Sequence, residues 1–124
     1  MAADGRSESV GESRSRVILH RWKLAPSALQ FEVHSRDGVL LGRSDFAWEV
    51  DRLLGEFDGR VKYGRLLRPG QQSGDAVFDE KRREDAIRDE DWGVVRWVWA
   101  ELGRPDRLAA RVRRARERSS ARAR

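Results

Sequence analysis

The sequence predicts an α/β (α+β) domain with the element order α, β, β, β, α, β, α. Three observations carry that prediction. Leu29, Phe31 and Val33 alternate with Gln30, Glu32 and His34, which is the period of a half-buried strand. Between Val39 and Asp58, two further strand-like runs flank Glu49-Val50-Asp51-Arg52, a segment that suits a tight connection. Val94–Trp99, read as VVRWVW, is so apolar that both faces of that strand should be covered.

The elements follow in order. Residues 1–8 are small, polar and charged, and are expected to be disordered. Ser9-Val10-Gly11-Glu12 fits a capping box, and Val10, Val17 and Leu24 carry helical spacing, so a helix is expected over 9–22. Strand one is expected over 28–34, followed by a turn at Arg36-Asp37-Gly38, and strands two and three over 39–48 and 53–58 complete a meander. The composition then shifts to YGRLLRPGQQSG, which reads as a long surface loop from Val61 to Gly74. Asp75 is placed to cap a highly charged helix over 76–91. After the apolar strand, Gly103-Arg104-Pro105-Asp106 opens a last helix with Leu108, Val112 and Ala115 on one face. The domain is expected to span 9–118, with 119–124 as a basic disordered tail.

A chain of 124 residues supports one core, and 38% of it is charged. Without cysteine, disulfide frameworks and thiolate zinc sites are excluded. His20 and His34 lie far apart and read as surface residues, so a metal would have to be held by oxygen. With no signal core and no run long enough to cross a bilayer, the expectation is a cytoplasmic protein with no membrane partner. The formal charge of +5 is uneven: nine arginines against Asp106 and Glu117 give residues 104–124 a net +7, leaving −2 on the rest. Such a terminus attracts polyanions, and it is equally a solvated end.

The acids pose the sharper question. In EFDGRVKYG, Glu56 and Asp58 are two residues apart, and so share a strand face. A turn centred between Val50 and Asp51 would place Asp45 across from Glu56, with Cβ atoms about 4.5–5.5 Å apart. Three converging carboxylates repel unless they bind a hard divalent cation or shift a pKa, and Mg²⁺ prefers oxygen ligands. The plain alternative is an exposed sheet face with all three acids in solvent.

RSDFAW (43–48), LLGEFDGRVKYG (53–64) and EKRREDAIRDEDWGVVRWVW (80–99) together resemble the small PD-(D/E)xK endonuclease domains akin to very-short-patch-repair nucleases. More narrowly, they resemble the version found C-terminally in actinobacterial proteins that look like abortive-infection antitoxins. The likeness covers about residues 9–115. It implies a restriction-endonuclease-like core with a mixed four-stranded sheet flanked by helices. It also implies Mg²⁺ (or Mn²⁺) held by Asp45 and Glu56, with Glu12 a further acid near the site, and cleavage of nucleic acid, DNA above all. The motif lysine two residues after Glu56 is here Asp58. Lys62, or Lys81 from the following helix, is the candidate replacement. Arg60, Tyr63, Arg65 and Arg68 on the loop are the candidate contacts to phosphate and base. A catalytically silent nucleic-acid-binding or regulatory module of a toxin-antitoxin or defence system is the rival reading. Arg96, between valines in a buried strand, needs an acidic partner, with Glu84 or Asp85 nearest to hand.

Overall fold

In the computed structural model the described residues are 2–59 and 74–123, and they form helix α1 (Ala2–Arg21), strands β1 (Ala28–His34), β2 (Leu40–Trp48) and β3 (Leu53–Phe57), helix α2 (Gly74–Asp89), strand β4 (Gly93–Trp97), the single-turn α3 (Trp99–Leu102) and α4 (Pro105–Ala123). The four strands make one mixed sheet in the order β1-β2-β3-β4. Its first three strands are an antiparallel meander, and β4 returns through α2 to lie parallel to β3. The loop expected over 61–74, with Arg60, Lys62, Tyr63, Arg65 and Arg68, falls almost wholly outside the described residues.

α1 begins at Ala2, so the backbone of 2–8 is helical where composition predicted disorder, and Ser9 lies inside the helix instead of capping it. The helix stops in a Schellman turn: Lys23 takes a left-handed φ of 62°, its N–H donates to the His20 carbonyl, and the Leu24 N–H donates to the Leu19 carbonyl. Leu19 and Leu24 are both buried beneath it. The buried face is not that of Val10 and Val17, which are exposed, but that of Gly11, Ser15 and Leu19. Small residues are needed there, since a Cβ on Gly11 would fall onto the Phe57 ring. Ser15 Oγ donates to the Gly11 carbonyl at 2.7 Å and accepts from Trp97 Nε1 at 2.8 Å, which ties the helix to the sheet.

One face of the sheet packs Phe46, Trp48, Leu53, Phe57, Val95 and Trp97 against Leu19 of α1, Leu102 of α3 and Leu108 and Val112 of α4. Phe46 and Trp97 stack at 5.6 Å, and Gly55 leaves room for the Trp48 and Trp97 indoles, 2.8 and 3.0 Å from where its Cβ would stand. The other face gathers Val33, Ala47, Leu54, Ile87 of α2 and Trp92 into a smaller cluster. Leu29 does not join Phe31 and Val33 there, because Gln30 has a left-handed φ of 48° that breaks the alternation between them. α2 starts at Gly74, which puts Asp75 inside its first turn, and it ends by Asp89 as Asp91 turns left-handed at φ 69°.

The basic terminus is also ordered. α4 continues to Ala123, Ser119 is buried, and its Oγ donates to the Arg52 carbonyl at 2.6 Å, so 119–123 belong to the domain instead of trailing as a tail.

Candidate functional site

β2 and β3 pair as Phe46↔Gly55, Ala47↔Leu54 and Trp48↔Leu53, the register that a turn centred between Val50 and Asp51 requires. Asp45 and Glu56 are the next residues out on each strand. The ladder opens at that point, and the Asp45 side chain occupies the opening, where Oδ2 accepts from the Phe57 N–H at 2.9 Å. Glu12 from α1 and Gln30 from the kinked position of β1 lie close enough to the same carboxyl group to favour its charged form. Gln30 therefore faces the acids and not solvent alone. Glu12 acts across the domain and not as the cap of its own helix, because that helix starts ten residues earlier.

Burial pushes the Asp45 carboxyl up from its ordinary value, the neighbouring Glu56 charge adds to the rise, and the Phe57 N–H, Glu12 and Gln30 only partly offset it.

Beside this corner lies a polar cavity of about 300 Å³ lined by Arg43, Asp45, Glu56, Phe57, Asp58, Glu80, Arg83 and Arg96. Glu56 is directly paired with Arg96 across the parallel β3–β4 ladder. Arg96 Nη2 and Nε donate to Glu56 Oε1 at 2.8 and 3.3 Å, and Arg83 Nη2 from α2 donates to Oε2 at 3.3 Å. The network runs on, with Arg83 meeting Glu80 at 3.1 Å, Arg96 meeting Glu84 at 3.0 Å, and Glu84 meeting Arg88 at 3.0 Å. Burial would raise the Glu84 carboxyl, but Arg88 and Arg96 hold it below its ordinary value. Burial likewise opposes the charge on Arg96, and Glu56 and Glu84 together outweigh it and raise the guanidinium.

The expected residues therefore fall into three groups. Glu12, Asp45, Glu56 and Asp58 are brought together at one end of the sheet. Among the described residues no group of three or more His, Cys, Asp or Glu side chains is spaced to hold a metal ion, so the expected set of Asp45, Glu56 and Glu12 consists of neighbours and is not a closed cage. Lys81 is not at the site, being 75% exposed and 3.8 Å from Asp85, which in turn is not the partner of Arg96. Lys62, Arg60, Tyr63, Arg65 and Arg68 lie outside the described residues.

The guanidinium groups of Arg83 and Arg43 were missed by the sequence reading. For Arg83 a signal was present: Glu80, Arg83 and Glu84 stand seven, four and three residues before Ile87, the buried anchor of α2, and so share its face.

No known family profile matches the chain, and no solved structure matches it. Two relatives, both described as uncharacterized proteins of Mycobacterium tuberculosis, from strains CDC 1551 and H37Rv, are each 32% identical over 114 residues. That alignment covers 90% of this chain but 38% of each relative, so the chain spans well under half the length of the curated proteins it matches.

Proposed function

We propose that this chain is an Mg²⁺- or Mn²⁺-dependent endonuclease-like domain of PD-(D/E)xK type, hydrolysing phosphodiester bonds of nucleic acid, DNA above all, in a repair or phage-defence setting. The observation that carries the reading is the position of Asp45, between Glu12 and Glu56 at the edge of a cavity rimmed by three arginines. The carboxylate oxygens of Asp45, Glu12 and Glu56 suit a hard, oxygen-seeking cation. Mg²⁺ keeps several waters and is commonly held by one or two carboxylates plus substrate phosphate, so a closed cage of protein ligands is not required. Asp45 would hold it with Glu12 or Glu56. A bound divalent ion supplies Lewis acidity toward a phosphate oxygen and lowers the pKa of a bound water. The chain's own part is charge and placement. Arg83 and Arg96 converge where the motif lysine is missing, and their guanidinium groups suit the charge that develops on a phosphate under attack.

The occupied state of Glu56 favours a second reading. With Arg96 on one oxygen and Arg83 on the other, this carboxylate is already neutralised, as in a catalytically silent nucleic-acid-binding or regulatory module.

A supercoiled-plasmid assay with Mg²⁺ or Mn²⁺ separates the two. The endonuclease reading expects nicking by the wild type that is lost in Asp45→Asn while the circular dichroism spectrum is kept. Binding without nicking, at any metal concentration, transfers the case to the second reading.

A further inference from the structure

We propose that the groove between α3 and α4 is a second nucleic-acid contact, a track for the phosphodiester backbone of duplex DNA, distinct from the acidic corner. The groove is lined by Ala100, Glu101, Arg104, Arg107, Leu108, Ala110, Arg111 and Arg114 and holds about 530 Å³. Its arginines follow a rule: 104, 107, 111 and 114 recur at three- and four-residue steps, and the exposed Arg118 extends the series. They form a stripe beside the buried one of Leu108, Val112, Ala115 and Ser119. From Arg107 to Arg118 the stripe runs about 16 Å at the rise of an α-helix, on the order of five nucleotide steps along one strand.

Two features set this stripe apart from an ordinary solvated face. The side chains of Arg104, Arg107 and Arg114 make no hydrogen bond or ion pair among the described residues, although acids are abundant elsewhere on the domain. By contrast, Arg111 is held by Glu101, and its Nη2 donates to the Arg96 carbonyl at 2.8 Å, on the outer edge of β4. The same Arg96 grips Glu56 in the acidic cavity with its side chain. A polyanion lying in the groove is thereby led round the sheet edge to the site. The α4 stripe supplies charge complementarity to phosphate along its length, and the one carboxylate among the lining residues described, Glu101, is already neutralised by Arg111.

The choice of ligand rests on the nucleic-acid reading above, but the binding needs no metal, so the two stand or fall separately. The test is fluorescence anisotropy of a labelled 20-base-pair duplex in EDTA, titrated across salt, for the full chain and for the triple variant Arg104→Gln, Arg107→Gln, Arg114→Gln. The slope of log affinity against log salt is expected to fall by about one unit per arginine removed, equally for unrelated duplex sequences. Arg36→Gln, a control at an 81% exposed arginine in the connection between β1 and β2, is expected to leave the slope unchanged. The proposal is overturned if the triple variant keeps the wild-type slope, if Arg36→Gln lowers the slope as much per charge, or if polyglutamate competes as well as DNA, which would assign the groove to an acidic protein partner. Slope loss in a chain that never nicks plasmid would uphold the groove while the endonuclease reading fails.

Discussion

Among the described residues, thirteen buried ones close the face of the sheet under α1, α3 and α4, whereas five close the face under α2, with a charged cluster beside them. The difference separates stability from chemistry. On the first face four aromatic side chains and several aliphatic ones exclude water, and polar atoms drawn in there are partnered, Trp97 Nε1 by Ser15 Oγ and Trp48 Nε1 by the Leu24 carbonyl. The second face has a small apolar cluster next to an alternating ladder of Glu80, Arg83, Glu56, Arg96, Glu84 and Arg88. Such a ladder holds its geometry through paired charge, each member compensating the desolvation of its neighbours, and it contributes much less net stability than an equal apolar area. An acid such as Asp45 can remain poised there because the opposite face supplies most of the stability.

The first way to break this comparison is to strike the stable face. Trp97→Ala removes a fully buried indole, its stacking on Phe46 and its bond to Ser15, and is expected to cost about 3–5 kcal/mol in a urea melt. Against a total stability of about 5–15 kcal/mol that is a large fraction.

A smaller loss is expected on the charged face. Arg96→Met keeps the aliphatic stem but leaves Glu56 and Glu84 without their shared cation. Because the group is a third exposed, solvent screening holds the expected cost to about 1–2 kcal/mol, shrinking as salt is added. An equal or larger cost than for Trp97→Ala would mean that the polar face, and not the apolar one, holds the domain together.

The smallest effect has the opposite sign. Asp45 is raised by burial first and by Glu56 second, so the folded chain binds its proton more tightly than the unfolded chain. The stability it contributes is fully present below its ordinary value of 3.8 and is lost as pH rises through the higher folded value. Asp45→Asn is therefore expected to raise the melting temperature by a few degrees near neutral pH, and the gain should vanish in acid. A variant that is less stable at every pH would show that Asp45 serves the fold.

Much of this was legible in the sequence, for reasons that differ by element. β1 was read to the residue because turn signals bracket it, and the meander register followed from one tight connection at Glu49–Arg52. The convergence of Asp45 and Glu56 came with that register. That a charge inside an apolar strand must be compensated pointed to Glu84 or Asp85 for Arg96; Glu84 is one partner, while the closer one, Glu56 on the neighbouring strand, was not foreseen. Other features are set by tertiary contact and leave no local trace. The face that α1 buries is chosen by the bulk of Phe57 and Trp97 against Gly11 and Ser15, not by its valines. The kink at Gln30, with a left-handed φ of 48°, has no glycine or proline to announce it. Glu12 looked like a cap because the sequence pattern of a cap was present, but the helix had already begun. The arginine-rich terminus resembled a tail by composition alone, yet its small and aliphatic residues at 108, 112, 115 and 119 carry the spacing of a packed face.

The central proposal is that Glu12, Asp45 and Glu56 form a corner that a divalent cation can occupy. It is tested most directly by following the melting temperature of the wild type and of Asp45→Asn as MgCl₂ or MnCl₂ is added. Binding to the native state alone predicts a rise in the wild type, equivalent to about 2.7 kcal/mol at a hundredfold excess over Kd, and none in the variant. A wild type that does not respond, or a variant that responds equally, would contradict the account.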